Sequence, residues 1–315
     1  MAVDNRTAVT QFVLIGLSDL PEVRYPLFVV VAVIYQVTLL GNGAILLAIG
    51  ANAKLHTPMY YFLANLSLLD IFCPTATVPK MLDNLLTEQN SISFLGCALQ
   101  LYFLVALVGT EVFLLSVMAY DRYVAICFPL RYSLIMTKAR CVLLTAGTWV
   151  AGNLNSLIHT VSTFSLTFCS NNRVNQYYCD IPLVVALSCS STYVAEMLIL
   201  VEAGILGIGA SLVTFVSYIY IISTILKIRS AEGKRKAFST CASHLLVVCL
   251  FYGTTIFTYL RPSSLQHTPA RDRLISMLNG VITPMLNPMI YSLRNAEVKG
   301  ALRRVCCGRG SLQAA

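Results

Sequence analysis

Six stretches of the chain carry no charged residue: 25–53, 89–110, 141–172, 203–226, 237–260 and 274–293. Two further apolar stretches are broken only by lone acids, 58–79 by Asp70 and the third span by Glu111 as it runs on to Asp121. A helix needs about 20 consecutive apolar residues to cross a bilayer. Merged on that length, the pattern predicts seven membrane spans of roughly 20 to 25 residues. The third runs from Cys97 to Asp121, and at about 1.5 Å per residue it is roughly 36 Å long. A cysteine tops that rod, and an acid–base pair, Asp121-Arg122, closes it. The expected fold class is an all-α membrane protein, a seven-transmembrane helix bundle with a short amphipathic C-terminal helix. It forms one domain over 1–315, with an outer tail at 1–24, the bundle at 25–293 and an inner tail at 294–315.

Composition agrees. Of 315 residues, 57% are hydrophobic and 11% charged, where a soluble domain carries about 25% charged residues. Seven is odd, so the termini lie on opposite sides. Lys54, Arg122, Arg131, Lys138 and Arg140 follow spans 1 and 3. Lys227, Arg229, Lys234, Arg235, Lys236, Arg294, Lys299, Arg303, Arg304 and Arg309 follow spans 5 and 7. The other side holds only Arg6, Arg24, Lys80, Arg173, Arg261, Arg271 and Arg273. The richer side is cytoplasmic, which puts the N-terminus outside and the C-terminus inside a plasma membrane. The net charge of +8 is then mainly an orientation signal, and no nucleic acid is expected as a partner. No basic segment with a cleavable apolar core opens the chain, so no signal peptide is expected. Asn5-Arg6-Thr7 is a glycan acceptor on the outer side; Asn65-Leu66-Ser67 has the same pattern but lies mid-span, out of a transferase's reach.

Polar residues inside the spans carry the candidate chemistry. Asp70 lies about 18 Å along span 2 from Pro58, and Glu111 roughly 15 Å above Asp121 in span 3. Two carboxyls at similar depth either hold a cation, such as a sodium ion, or share a proton, and this is favoured over a neutral, hydrogen-bonded Glu111 with no ion. Gly41-Asn42-Gly43 in span 1 reads as close helix packing, as a polar bridge to Asp70, or both. Tyr218 and His244 each lie roughly 12–14 Å inside the cytoplasmic edge on facing spans, above Arg122, and suit a state-dependent hydrogen-bond switch. Pro284 and Asn287-Pro288 must bend the inner half of span 7 around freed carbonyls. Cys97, Cys169, Cys179 and Cys189 face the oxidising exterior and allow three pairings. Cys97–Cys179 with Cys169–Cys189 is preferred, though spacing alone does not choose. Cys306-Cys307 follow an amphipathic stretch with Val298, Ala301, Leu302 and Val305 on one face, fit for an interfacial helix with or without palmitoylation.

A ligand recess is expected among the outer halves of the spans. Leu104, Val105 and Val108 share a face of span 3, with Gly109 and Val112 beside them. Each alone reads as ordinary packing; beneath a disulfide-pinned lid they fit an apolar pocket with a few hydroxyls. Leu206 of span 5, Thr255, Ile256 and Tyr259 of span 6, and Met277 and Gly280 of span 7 complete the set, and Glu202 could orient a polar ligand group. Span 7 has no lysine for a Schiff base, and the outer half of span 3 has no acid for a charged amine. No nucleophile elbow, P-loop, HExxH or paired aspartate motif is present, so an enzyme is not expected. A transporter would show half-to-half repeats, and a channel would need a ladder of pore-lining charge.

Five ordered motifs name a family. LHTPMYYFLANLSLLD (55–70), MAYDRYVAIC (118–127), Ser217-Tyr218, KAFSTCASHL (236–245) and PMLNPMIYSLRN (284–295) resemble the vertebrate olfactory receptors, class II, within the rhodopsin-like G-protein-coupled receptors. The resemblance implies a receptor for small volatile odorants that activates a stimulatory, olfactory-type heterotrimeric G protein and raises cyclic AMP. It implies that Asp121, Arg122 and Tyr123 form the coupling switch, with Tyr218 and His244 closing on it and Asn287, Pro288 and Tyr291 forming the span 7 motif. Tyr252 stands at the aromatic toggle, Tyr259 lines the pocket, Asp70 and Glu111 match the intramembrane acidic pair, and Cys97–Cys179 matches the lid disulfide. Two positions depart: Phe128 stands where His or Asn precedes Pro-Leu-Arg-Tyr, and Gln176 stands where many members carry a His, which removes a candidate metal ligand. A rhodopsin-like receptor for a lipid or peptide is the nearest alternative reading.

Overall fold

A computed structural model describes residues 9–17, 21–87, 89–169, 171–259, 269–294 and 298–301. Span 1 is Pro21–Ala51, span 2 Pro58–Thr87, span 3 Phe94–Cys127 and span 4 Lys138–Phe164. Span 5 has three parts: α-helical Tyr193–Val201, a π-helical turn at Glu202–Gly207, and α-helical Ile208–Lys227. Span 6 is Ala231–Tyr259. Span 7 joins Pro269–Met277, a second π-helical turn at Leu278–Ile282, and Thr283–Arg294. Among the described residues, spans 1 to 4 and the inner part of span 5 are each long and apolar enough to cross a membrane. The chain is a multi-pass membrane protein.

Local chemistry sets the ends. Ser93 caps span 3, its Oγ accepting the Gly96 N–H at 3.0 Å, and Thr137 caps span 4 by accepting the Arg140 N–H at 3.3 Å. Span 4 lies against span 3 through two glycines. A Cβ on Gly109 would stand 3.5 Å from Gly152 Cα, and one on Gly152 would drive into Ala106 and Thr110. Small residues let backbones approach in a membrane, where dispersion and hydrogen bonds replace the hydrophobic drive between helices. Trp149 of span 4 adds a bond from Nε1–H to Asn65 Oδ1 of span 2, at 3.4 Å.

Span 1 docks on the break in span 7. Pro288 has no N–H, so the carbonyl of Pro284, four residues earlier, loses its helical donor. Asn42 Nδ2 donates to that carbonyl at 3.1 Å, and Gly41 leaves room for the Pro288 ring. The Gly-Asn pair thus recognises the span 7 bend. It does not bridge to Asp70, whose partner is Asn287.

The outer end is a woven lid. Residues 11–14, expected as part of an outer tail, form strand β1 (Gln11–Leu14), which lies between β2 (Ser91–Ser93) and β3 (Arg173–Val174). Phe12 and Leu14 are fully buried, and Phe12 packs on Phe94 and Phe168 at 5.9 and 5.4 Å between ring centres. Burial alternates along 11–14, with Phe12 and Leu14 inward, although three apolar residues in a row hide that alternation in the sequence. Cys97 is bonded to Cys179 and Cys169 to Cys189. At the inner end, the turn at 298–301 is helical and buries Val298 and Ala301 against the main core.

Candidate functional site

The residues expected to form a switch come together from spans 3, 5 and 6 and the loop after span 3. Arg122 is buried and pairs with its neighbour Asp121 through Nε and Nη2. Its Nη1 points to the Met59 sulfur of span 2 at 3.0 Å. The other Asp121 oxygen accepts a 2.7 Å hydrogen bond from Tyr132, on the short helix Tyr132–Ile135 that follows span 3. Burial and the Asp121 carboxylate push the Tyr132 phenol above its usual range, so it stays a donor. Above this pair, Tyr218 and His244 meet at 2.6 Å between hydroxyl and Nδ1, their rings stacked at 5.8 Å. Tyr218, Ile221, Ile225 and Cys241 pack with Ala119 in one apolar cluster, with Tyr123 against it, so the inner ends of spans 3, 5 and 6 are closed together. Phe128 caps span 3 and sets its ring edge-on to Tyr123 at 5.6 Å.

The acidic pair sits one storey higher. Asp70 is buried and accepts two bonds from Asn287 Nδ2, at 2.9 and 3.1 Å. Glu111 is buried too, and the two carboxyls interact electrostatically. Asn287 Oδ1 and the Tyr291 hydroxyl are buried without a hydrogen-bond partner among the described residues. Pro288 follows Asn287 directly, so the bend that span 1 recognises also aims Asn287 at Asp70.

A hydroxyl cluster links the outer half to the switch. Ser116 donates to the Ala210 carbonyl at 3.0 Å, and Thr214 reaches Ser116 at 3.3 Å. Tyr252 donates to the Val112 carbonyl at 3.3 Å, with Ser116 and Thr214 beside it. Neither Ser116 nor Thr214 stands out in the sequence; matched depth on facing spans is the only signal that could have found them.

The expected recess divides. Leu104, Val108 and Val112 share one face and stay partly buried against the main core, while Val105 turns toward the lid cluster with Ile199 of span 5. The side chains of Leu206, Thr255, Ile256 and Tyr259 lie outside the described residues, as do Asn5, Cys306 and Cys307 altogether. Four of the residues expected in the recess meet other neighbours. Gly109 faces Gly152 of span 4, where its lack of a side chain serves helix contact. Glu202 also faces span 4: Asn155 Nδ2 donates to one carboxylate oxygen at 2.7 Å, and His159 Nε2 reaches the other at 2.7 Å. The π-turn that starts at Glu202 changes the facing expected from a regular helix. Met277 packs with Val78, Met81 and Tyr177, toward spans 1 and 2 and the lid. A Cβ on Gly280 would stand 3.8 Å from the Tyr177 hydroxyl, so that position meets the lid as well.

The lid itself is hydrogen-bonded to spans 3 and 7. Gln100 of span 3 accepts the Cys179 N–H at 2.9 Å and donates to Ala76 O of span 2 at 3.0 Å. Gln176 donates to Ser276 of span 7 at 3.1 Å and so ties the lid to that span. Arg273 reaches Asn175 at 3.4 Å. Burial pushes the Asp180 carboxyl, next to the disulfide, up to about 6.

A buried Asp121–Arg122 pair lies toward one end of the bundle and a disulfide-bonded lid lies at the other. A family model described as olfactory receptor matches residues 31–309. The chain is 49% identical to olfactory receptor 8U9 of Mus musculus over 99% of both chains. It is 48% identical to olfactory receptor 5B12 of Homo sapiens over 96% of both, and 49% identical to the olfactory receptor-like protein OLF3 of Canis lupus familiaris over 97% of this chain and 96% of that one. On the length of that match, the chain belongs to the olfactory receptor family.

Proposed function

We propose that this odorant receptor takes small, neutral, mostly apolar volatiles among spans 3, 5, 6 and 7, and that binding activates a stimulatory, olfactory-type G protein that raises cyclic AMP. The lid lies outside the cell and the switch faces the cytoplasm, in keeping with the basic residues that follow spans 1, 3, 5 and 7. The observation that carries the reading is Arg122, buried and held by Asp121 beneath a Tyr218–His244 bridge that ties span 5 to span 6. A G protein needs that inner surface opened, and a ligand opens it only by binding the open state better than the closed one. Leu104, Val108 and Val112 pack along one side of span 3 against the main core, and Tyr252 bonds the backbone of the same stretch of span 3. Movement of span 6 in response to a ligand would therefore be felt at Tyr252, Ser116 and Thr214 before it reaches Tyr218.

A sodium ion or a shared proton at Asp70 and Glu111 is part of the proposal. Two buried carboxyls, with the unpartnered Oδ1 of Asn287 beside them, form a donor set of hard oxygens suited to a small cation. Such an ion would favour the closed state by holding spans 2, 3 and 7 together. The test is a cyclic AMP reporter screen of the chain against a diverse volatile library. Wild type should respond to some members, and Arg122→Ala should abolish every response at normal surface expression. Signalling that survives Arg122→Ala would remove the switch from the mechanism.

A further inference from the structure

We infer that the groove between spans 3, 4 and 5 is a second ligand site, for a small uncharged molecule that carries one O–H donor and reaches it from within the bilayer. The groove is open to the surface, has a volume of about 390 Å³ and is lined by Ser116, Thr148, Gly147, Gly209, Ala210 and Val213 among others. That volume falls within the roughly 300–1,000 Å³ typical of small-molecule sites. It lies apart from the recess assigned to odorants above, on the other side of span 3.

Its chemistry is specific on two counts. None of the residues that line it is charged, so it suits neither an ammonium nor a phosphate head. Its two hydroxyls have already donated their protons: Thr148 to Thr145 O at 2.7 Å, Ser116 to Ala210 O at 3.0 Å. A hydroxyl oxygen keeps acceptor lone pairs after donating. Ser116 already accepts from Thr214 at 3.3 Å, so the acceptor that the groove offers at hydrocarbon depth is the Thr148 hydroxyl, to which a bare acyl chain has nothing to give. Ser116 lies five residues above Asp121, roughly 8 Å from the inner end of span 3. Headgroup hydroxyls stay at the interface, so a short alcohol dissolved in the bilayer fits better than a lipid.

The space is open by composition. A Cβ added to Gly147 or to Gly209 would meet nothing within 4 Å. These glycines, unlike Gly152, are not required for helix contact; their missing side chains leave room for an occupant. The wall matters to signalling, because Ser116 is also the residue that holds Ala210 and Thr214 of span 5. An occupant that binds this arrangement holds span 5 in the register where Tyr218 meets His244, so it acts as a brake on activation.

The experiment uses purified full-length receptor in lipid nanodiscs and an octanol analogue bearing a photoreactive diazirine. Label is expected on the peptides that contain residues 113–117, 144–151 and 209–213. It should be competed by octanol and not by octane. Gly147→Leu combined with Gly209→Leu fills the groove without a clash at Cβ and should abolish the label while the melting temperature holds. Thr148→Val should weaken it several-fold. Competition by octane equal to that by octanol would overturn the donor requirement, and label that persists in the double leucine variant would overturn the site.

Discussion

Gly152→Ala should loosen the seat of span 4 on span 3, and the structure gives the size of the effect. The added Cβ would stand 2.7 Å from the Ala106 carbonyl oxygen and 2.8 Å from the Thr110 amide nitrogen. Comfortable contact lies near 3.5 Å, so the two helices must part by roughly 0.7–0.8 Å along that line. Overpacking on this scale costs about 1–3 kcal/mol. The same change at Gly147, one and a half turns earlier on the same helix, meets nothing within 4 Å. There the gain of about 1 kcal/mol in helix propensity should stand alone. The two substitutions share chemistry and helix, so propensity cancels and the overpacking remains as the difference. Thermal unfolding in nanodiscs, followed by a thiol-reactive dye that reads the buried Cys73, Cys141 and Cys241, should show Gly152→Ala melting below wild type and Gly147→Ala at or above it. Equal melting of the two variants would refute the claim that span 4 is positioned by that glycine contact.

Tyr132→Phe removes the 2.7 Å bond to Asp121; a bond to a charged group contributes about 1.5–3 kcal/mol. At the lower end, basal cyclic AMP signalling should rise by roughly tenfold, as the closed state loses that support. His159→Ala should lower the melting temperature without changing the potency of an activating odorant, because Glu202 faces span 4; a large potency change would return Glu202 to the recess. Asp180 sets a pH dependence of known sign. Its folded pKa of about 6 lies above the 3.8 of the free side chain, so the folded state binds the proton more tightly. The lid is therefore penalised above about pH 6 and gains stability as pH falls from about 7 toward 4. Protection from hydrogen exchange over 176–185, taken relative to the intrinsic rate at each pH, should rise across that window and stay level in Asp180→Asn.

Much of the bundle was legible because a bilayer admits few backbone solutions. Spans of uncharged residues predict helices, and Asp70, Glu111, Arg122 and His244 are conspicuous as polar residues in apolar runs. What could not be read was direction. Gly109 and Glu202 sit among recess residues in the linear pattern, but facing depends on the π-turn in span 5 and the glycine contact with span 4. A helical wheel drawn with 3.6 residues per turn cannot anticipate an inserted residue. The lid was the other loss. Gln11–Leu14 holds three apolar residues in a row and shows no alternation until β2 and β3 supply partners from about 80 and 160 residues away. Asn42 illustrates the middle case: a buried amide demanded a polar partner, and two were available. The bend at Pro288 chose the carbonyl of Pro284 over the carboxyl of Asp70.

Span 5 has to satisfy two sets of neighbours that do not share one helical phase. Its outer part is held by span 4 through Asn155, His159 and Glu202. Its inner part is held by span 3 through Ser116 at Ala210 and Thr214, and by span 6 through His244 at Tyr218. One extra residue in a turn rotates everything beyond it by about 100°, the angle of a single helical step. Without the turn at 202–207, either Glu202 would leave His159 and bring an unpaired carboxylate to the lipid, or Tyr218 would leave His244. Both losses are expensive in a membrane, where buried polar groups have no water to turn to. The irregular turn is therefore the part of span 5 where the outer and inner halves of the receptor are mechanically joined, and ligand-driven movement on one side of it must either be carried through that turn or absorbed there.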